Sequence, residues 1–541
     1  MGLRRLGGAR LRRAASSRAG FVALVAALYL AAGVAATWPA VEHFDSRFLA
    51  RGDLLRGEPA AGDHLQAGYH LWLVGHQLEH GRAPWLDPYT FRPEASPRVN
   101  FGGWPFGLPY WPLVAAFGPV VAWNLFILLS FLAAGAFAYL WLRELGPPRG
   151  AALVGGLAFA LGPYRVAQST GHFRGPISAL IPLALWAFER SRKGSRWWLA
   201  LSGAALASIP FSDLHLALGA IPFFLVYALL RTRDRPRLGG ALAAALAGIG
   251  AGALVAALTI PGSISSGGRS LREVSHYSAG GLDFLTRHLR HGLESFVFLG
   301  WLTPLLAVAG LVLLWRARRF GLAAALAIGT VVPILLALGT HLPLYSPIWH
   351  HFPPLRFPRV PERQMPIAVL CIAALVALAL GRVRSRVVVP ALAAILIVVD
   401  LHVKLYEALP ADPGNRAYTA LRSAPSGRLL ELPVFLPDRH WGSVYMYYEM
   451  QAERERPEGY STLAPRRADA VARRLRPLGC GSWSELESLG VRYVAVHRGL
   501  YGLGISPPKS CSTQAERSLR AHGFRLLARD GPVSIYYMPM A

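Results

Sequence analysis

The chain carries little charge for its length. Asp, Glu, Lys and Arg make up 16% of its 541 residues, against roughly 25% in an ordinary soluble protein. Acids are the scarcer sign, with 30 Asp and Glu against 56 Lys and Arg, and nearly all of the cations are arginine. No convincing P-loop, Rossmann fingerprint, G-x-S-x-G elbow or C-x-x-C pair occurs, which argues against a nucleotide-driven pump or a cytoplasmic enzyme. No internal repeat stands out. The three cysteines divide by setting. Cys371 lies in an apolar run as a small buried residue, and Cys480 and Cys511 lie near the C-terminus, where a disulfide is allowed if that part is outside the cytoplasm.

What the chain has in quantity is apolar sequence: 53% of residues are hydrophobic and the mean hydropathy is +0.35. The apolar residues cluster in runs near bilayer length, which defines a membrane protein. Spans are expected near 21–38, 121–142, 150–162, 176–188, 197–211, 214–230, 238–259, 294–314, 320–340, 364–381 and 387–405. The net charge of +26 does not point to nucleic acid, because the basic residues sit mostly in short loops between these runs, as the positive-inside rule produces. The loops 143–150, 189–196, 231–237, 316–319 and 382–386 and the basic tail 1–20 are expected in the cytoplasm. Segments 39–120, 163–175, 260–293 and 341–363, with the tight turn at Ser212–Asp213, are expected outside. Eleven spans starting inside place 408–541 outside as well.

The first external segment, 39–120, contains a helix-like stretch, Asp63–His80, with Leu65, Tyr69, Trp72 and His76 on one face. Pro105–Pro119 is aromatic and proline-broken, and reads as lying along the membrane surface. In the C-terminal part, Gly427–Phe435, Val491–His497 and Ser534–Met538 are strand-like. Ala464–Leu475 and Thr513–His522 are helix-like, so a small α/β domain is expected.

Candidate chemistry concentrates in the external segments. Asp45, Asp53, Asp63, Asp87 and Glu94 either solvate the long loop or include a general base. Asp63, opening an aromatic-rich helix, is the choice for that base. His76-Gln-Leu-Glu-His80 has H-x-x-E-H spacing, but no downstream Glu helix completes a zinc site, and a packed or interfacial His76 is the simpler reading. Gly162–Gly175 offers Tyr164, Arg165, Gln168, His172 and Arg174, as a connecting loop or as an anion site. Leu355–Arg363 carries Arg356, Arg359 and Arg363, against the charge trend of its side. Lipid headgroups or a lipid-linked phosphate would pair with them through bidentate bonds. Asp213 is a second acid or a helix N-cap.

The order of these pieces resembles the GT-C membrane glycosyltransferases, including the protein mannosyltransferase and lipid A aminoarabinose transferase groups and the YfhO-like and lipopolysaccharide galacturonosyltransferase-like bacterial proteins. The likeness runs through GDHLQAGYHLWLVGHQLEHGRAPWLDPYTFRPEA, WNLFILLSFLAAGAFAYLWLREL, GLAFALGPYRVAQSTGH, PLRFPRVPERQ, LLELPV, EGYSTLAP and LGVRYVAVH. It implies a GT-C-like transmembrane domain over 21–407, a soluble extracytoplasmic α/β domain over 408–541 and a site in the bacterial inner membrane. It implies inverting transfer from a polyprenyl-phosphate donor to an envelope glycan, lipid or protein. By analogy Asp63 is the base, Asp87 or Asp213 assists, and Arg165, His172, Arg174, Arg356, Arg359 and Arg363 hold the donor phosphate. The long loop lacks the paired-acid dipeptide of that family. Some relatives use a divalent metal and others do not, so metal dependence stays open. The other readings are a precursor transporter or flippase, which would more often show repeats and charges within spans, and a non-catalytic envelope assembly protein.

Overall fold

A computed structural model describes residues 3–93, 98–290, 292–482 and 490–539; Glu94 and the first two residues of the basic tail lie outside the described residues. Among these, six helical stretches are long and apolar enough to cross a membrane: Ala19–Thr37, Gly107–Leu145, Leu214–Arg231, Arg235–Thr259, Phe320–Ala337 and Pro361–Leu380. Arg149–Ala160 and Pro163–Ser169, bent by 49° at their junction, form a broken span or a re-entrant loop, a seventh if counted as one span. Trp198–Ser212, Leu302–Arg316 and Val388–Leu401 are apolar but shorter. Length therefore supports fewer crossings than the eleven expected. The 176–188 run, for example, is the helix Leu180–Lys193, whose last turn holds Arg190, Arg192 and Lys193.

Two segments differ from expectation in kind. The start of 163–175 is not a loop but the bent continuation of the helix before it. Pro105–Pro119 is largely helical, merging into Gly107–Leu145 with one break at Gly118 (φ 76°). Pro119 then opens the second half, where a missing N–H costs nothing.

The bundle packs around Met365–Leu380, every residue of which is buried. Small residues let neighbours approach its backbone. A Cβ on Gly310 would lie 2.1 Å from the Leu375 carbonyl oxygen, and one on Gly155 would lie 2.9 Å from that of Ala373.

After His402 the pattern shifts to short alternating runs. Arg428–Leu432, Val491–His497, Val533–Tyr537 and Arg525–Asp530 form a four-stranded sheet in that spatial order. The first pair is parallel and the others are antiparallel. Arg466–Leu475 and Lys509–Ala521 lie alongside with buried Ala and Leu stripes. Cys480 and Cys511 are joined in a disulfide.

This part is tied to the first long loop. Arg47–Ala50 pairs antiparallel with Glu407–Pro410, and His440 bonds Asp53 at 2.7 Å. Deeper, His497 bridges Glu58 at 2.7 Å and Glu431 at 2.8 Å, all three side chains being fully buried. Arg456 pairs with Glu431 and Glu449 beside them. Burial alone would push the His497 imidazole down, but Glu58 and Glu431 raise it to about 9. Burial pushes the Glu449 carboxyl up to about 8 despite Arg456. Both folded-state values lie above those of the unfolded chain, so both contributions are full at low pH. The Glu449 share is lost as pH rises through about 8, and the His497 share as it rises through about 9. The thermal midpoint should therefore fall by several degrees between neutral pH and pH 9. Glu449→Gln, which fixes the neutral state, should flatten that fall in a differential scanning measurement. A midpoint that rises over the same interval would contradict the assignment.

Candidate active site

The helix Asp63–Glu79 begins with an acid in its first turn, where the helix dipole favours negative charge. Asp63 Oδ2 lies 2.8 Å from His172 Nε2. Its Oδ1 accepts a hydrogen bond from Tyr460 Oη at 2.6 Å. His172 reaches Asp63 because Gly171 lets the two backbones close: a Cβ there would stand 3.2 Å from both Asp63 Cβ and His64 N. Burial pushes the Asp63 carboxyl up, but the charge and hydrogen bond of His172 and the bond from Tyr460 outweigh it. They hold the group well below the usual carboxylate range.

Two further acids face the same space. Asp213 is the N-cap that its position allowed, and it also pairs with an arginine. One oxygen accepts from Leu216 N at 2.9 Å, capping the helix Leu214–Arg231, and the other pairs with Arg174 at 2.8 Å. Burial again opposes ionisation, and Arg174 leads the effects that hold Asp213 down. Glu294 sits 3.3 Å from Arg363 and 3.9 Å from both Arg359 and His172. Against burial, Arg363 first and then His172 hold its carboxyl at about 2.

Asp63, His172, Arg174, Asp213, Glu294, Arg359, Arg363 and Tyr460 all line one cavity of about 460 Å³. A chain of contacts of 2.8, 3.9 and 3.3 Å runs from Asp63 through His172 and Glu294 to Arg363. Each guanidinium has five N–H donors, so its carboxylate partners leave capacity for an incoming anion. Arg359, 34% exposed at the side chain, is the least enclosed of the three arginines. On one flank the wall is Val255 and Leu258 of the apolar helix Arg235–Thr259. A second, mostly apolar hollow of about 330 Å³ adjoins it and shares Phe101, Phe211 and Leu258. A carboxylate, three guanidiniums and an apolar wall thus meet at one place, groups able to accept a proton and to bind an oxyanion.

Three expected site residues are not at this cavity. Asp87 is fully buried elsewhere and its oxygens are engaged by Tyr69, Thr90, Arg98 and the backbone N–H groups of Tyr89 and Thr90. It organises the loop and has no face left for a substrate. Arg165 is also fully buried. It donates to the carbonyls of Ala160 and Ser130 and lies over the Phe131 ring, so it ties off the bend after Ala160. Arg356 donates to the carbonyls of Trp349 and His350 in its own loop and rides on the Trp349 ring. The His76–His80 pair also finds other partners. His76 Nε2 lies 2.7 Å from Tyr89 Oη, and His80 Nδ1 lies 2.8 Å from the His76 carbonyl. Among the described residues no group of three His, Cys, Asp or Glu side chains is placed to hold a metal ion.

Two residues of the site escaped sequence reasoning. The expected span 294–314 opens on Glu294, but the helix starts only at Leu302. An acid directly before an apolar run was the available signal. Tyr460 lies 397 residues from Asp63 in sequence, and no spacing rule connects them.

The fold is that of the GT-C membrane glycosyltransferases. The chain is similar to the arabinofuranosyltransferase AftD from Mycobacteria, with a TM-score of 0.60 and 16% identity over 96% of this chain and 40% of that one. It therefore spans about two fifths of the AftD chain. It is similar to ArnT from Cupriavidus metallidurans, with a TM-score of 0.52 and 13% identity over 96% of this chain and 98% of that one. The apo oligosaccharyltransferase of Archaeoglobus fulgidus aligns with a TM-score of 0.50 and 15% identity, over 88% of this chain and 69% of that one. No curated protein matches by sequence. Residues 105–408, more than half of the chain, match the family described as 6-pyruvoyl-tetrahydropterin synthase related domain, membrane protein. The chain belongs to that family.

Proposed function

We propose that this protein is a membrane glycosyltransferase that moves a sugar from a polyprenyl-phosphate-linked donor to a hydroxyl of an envelope glycan, lipid or protein on the outer face of the membrane. The observation that carries the reading is the meeting of Asp63 with Arg174, Arg359 and Arg363 around one cavity flanked by an apolar helix. The donor lipid lies along the shared wall at Leu258 and Phe211, so no diffusible nucleotide sugar is needed. Its phosphate is held by Arg359 and Arg363. The acceptor oxygen attacks the anomeric carbon from the side opposite the phosphate, and the configuration inverts. The bond to the phosphate oxygen breaks with its electron pair, and the arginines stabilise the charge that develops there. The acceptor proton passes to Asp63 as the new bond forms and the hydroxyl becomes acidic. His172 aims the Asp63 carboxylate and separates it from Glu294.

The segments that line the cavity are those expected outside the cytoplasm, while the arginine-rich short loops lie elsewhere. The disulfide between Cys480 and Cys511 fits an oxidising compartment. We accordingly read 21–407 as the membrane-embedded domain, 408–541 as an extracytoplasmic domain and the N-terminus as cytoplasmic, in a bacterial inner membrane. The test is release of free polyprenyl phosphate when protein in lipid nanodiscs meets a panel of polyprenyl-phosphate sugars and envelope extract. Acceptor-dependent release with one donor supports transfer. A folded protein that releases none from any donor contradicts it.

Tyr460→Phe probes the base. Losing the Oη bond removes one of the influences holding Asp63 down. The acidic limb of the transfer profile should then move to higher pH, while the rate on the plateau stays within about threefold. An unchanged acidic limb would detach that limb from Asp63.

A further inference from the structure

The far end of the helix Asp63–Glu79 borders a second cavity that the transfer chemistry does not use. It measures about 330 Å³ and lies between Trp72, His76 and Glu79 of that helix, Trp111 of Gly107–Leu145, and Thr419, Arg422 and Tyr447 of the C-terminal part. At 1.5 Å per residue, His76 stands roughly 20 Å along the helix from Asp63. The cavities are distinct: the first takes Gln66, Ala67 and His70 from this helix, and the second takes Trp72, His76 and Glu79.

The walls are aromatic and fixed. His76 stacks on Trp72 with ring centroids 4.2 Å apart, and its Nε2 is held by Tyr89 Oη at 2.7 Å. The Trp111 ring packs onto Gly75, where a Cβ would fall 2.5 Å from its Cγ. Trp111 Nε1 donates to Glu79 Oε1 at 2.5 Å. These rings need no rearrangement to receive a ligand, which removes much of the ordering cost of binding. Around them stand polar groups of mixed sign. Glu79 and Arg422 are both exposed, and Arg422 has no carboxylate partner among the described residues. Thr419, whose hydroxyl donates to the Asn415 carbonyl at 3.0 Å and keeps its lone pairs, stands at the rim, and Val114, Pro119 and Met450 add apolar wall.

Flat aromatic faces beside a carboxylate, a guanidinium and a hydroxyl match one chemistry. A sugar ring packs its C–H face on an indole and offers paired hydroxyls to planar charged groups at its edge. One acid against one base favours an uncharged ligand. An acyl chain would make no use of the Arg422 guanidinium or of the remaining lone pairs of Glu79.

We propose that this cavity is a carbohydrate subsite, remote from the reaction cavity, that takes a neutral oligosaccharide. Its assignment to the acceptor glycan rests on the transfer reading above; the binding itself does not.

The experiment uses full-length protein in nanodiscs, titrated by saturation-transfer NMR with maltotetraose, mannotetraose, chitotetraose and, as a charged control, tetragalacturonate. At least one neutral tetrasaccharide should bind with a dissociation constant on the order of 1 mM, and tetragalacturonate should bind more weakly. Trp72→Ala should weaken binding by about tenfold or more. Thr419→Trp, at an exposed rim position that leaves the packed rings intact, should do the same. Asp63→Asn should bind as the wild type does. No binding by any neutral sugar, binding indifferent to both Trp72→Ala and Thr419→Trp, or binding lost in Asp63→Asn would each overturn the proposal. If Asp63→Asn transfers sugar at the wild-type rate while Trp72→Ala still abolishes binding, the transfer reading fails and the subsite stands.

Discussion

Asp63→Asn should lower sugar transfer by about 10²–10⁴-fold, the usual contribution of a positioned general base, with little change in thermal midpoint. The substitution keeps the side-chain volume and can still accept from Tyr460 Oη, which now donates to a carbonyl oxygen at the position it held 2.6 Å from the carboxylate. What disappears is the negative charge beside His172 and the capacity to take a proton. Asp63 is 30% exposed at its side chain, so loss of its ion pair costs less stability than loss of a fully buried one. Activity and folding therefore separate. His172→Gln should produce a smaller loss, since the base remains but is no longer aimed. Transfer by Asp63→Asn at the wild-type rate in a nanodisc assay would remove Asp63 as base.

The second large effect concerns the donor. Arg359→Gln and Arg363→Gln should each raise the KM for polyprenyl-phosphate sugar by about 10- to 100-fold, since a hydrogen bond to a charged group contributes roughly 1.5–3 kcal/mol. Arg356→Gln should leave KM unchanged, because that guanidinium is turned to the carbonyls of Trp349 and His350. All three arginines lie within eight residues of sequence and carry the same charge, so a nonspecific attraction to lipid would weaken equally in each. Arg363→Gln should also lower stability more than Arg359→Gln. It leaves the mostly buried Glu294 with its nearest cation, 3.3 Å away, removed.

The membrane class and the choice of Asp63 as the proposed base are both local signals in the sequence. Apolar runs need no partner to be recognised, and an acid at the start of an amphipathic helix stands out in an acid-poor chain. The same locality misled at Asp87. Its acidity marked it as a candidate, but only the fold brings Tyr69, Thr90 and Arg98 around it. Arg165 and Arg174 are nine residues apart in one short stretch, yet one caps a helix bend and the other faces the cavity. The two lie on different elements: Arg165 is inside the helix Pro163–Ser169, and Arg174 follows the break after it, at the start of Arg174–Ile177. Hydropathy marks eleven apolar runs, whereas length as well as composition, judged against a bilayer of about 30 Å, picks out six helices among the described residues. The partners of Glu294 and Tyr460 lie far away in sequence, and only the folded chain makes them neighbours.

The most direct test is a cryo-EM structure of the Asp63→Asn protein in nanodiscs with a polyprenyl-phosphate sugar bound. The expected result places the phosphate within hydrogen-bond reach of Arg359 and Arg363, the sugar's anomeric carbon facing residue 63, and the lipid chain leaving past Leu258. A phosphate bound beside Arg356, or among the arginines of the short loops at the opposite end of the bundle, would contradict it.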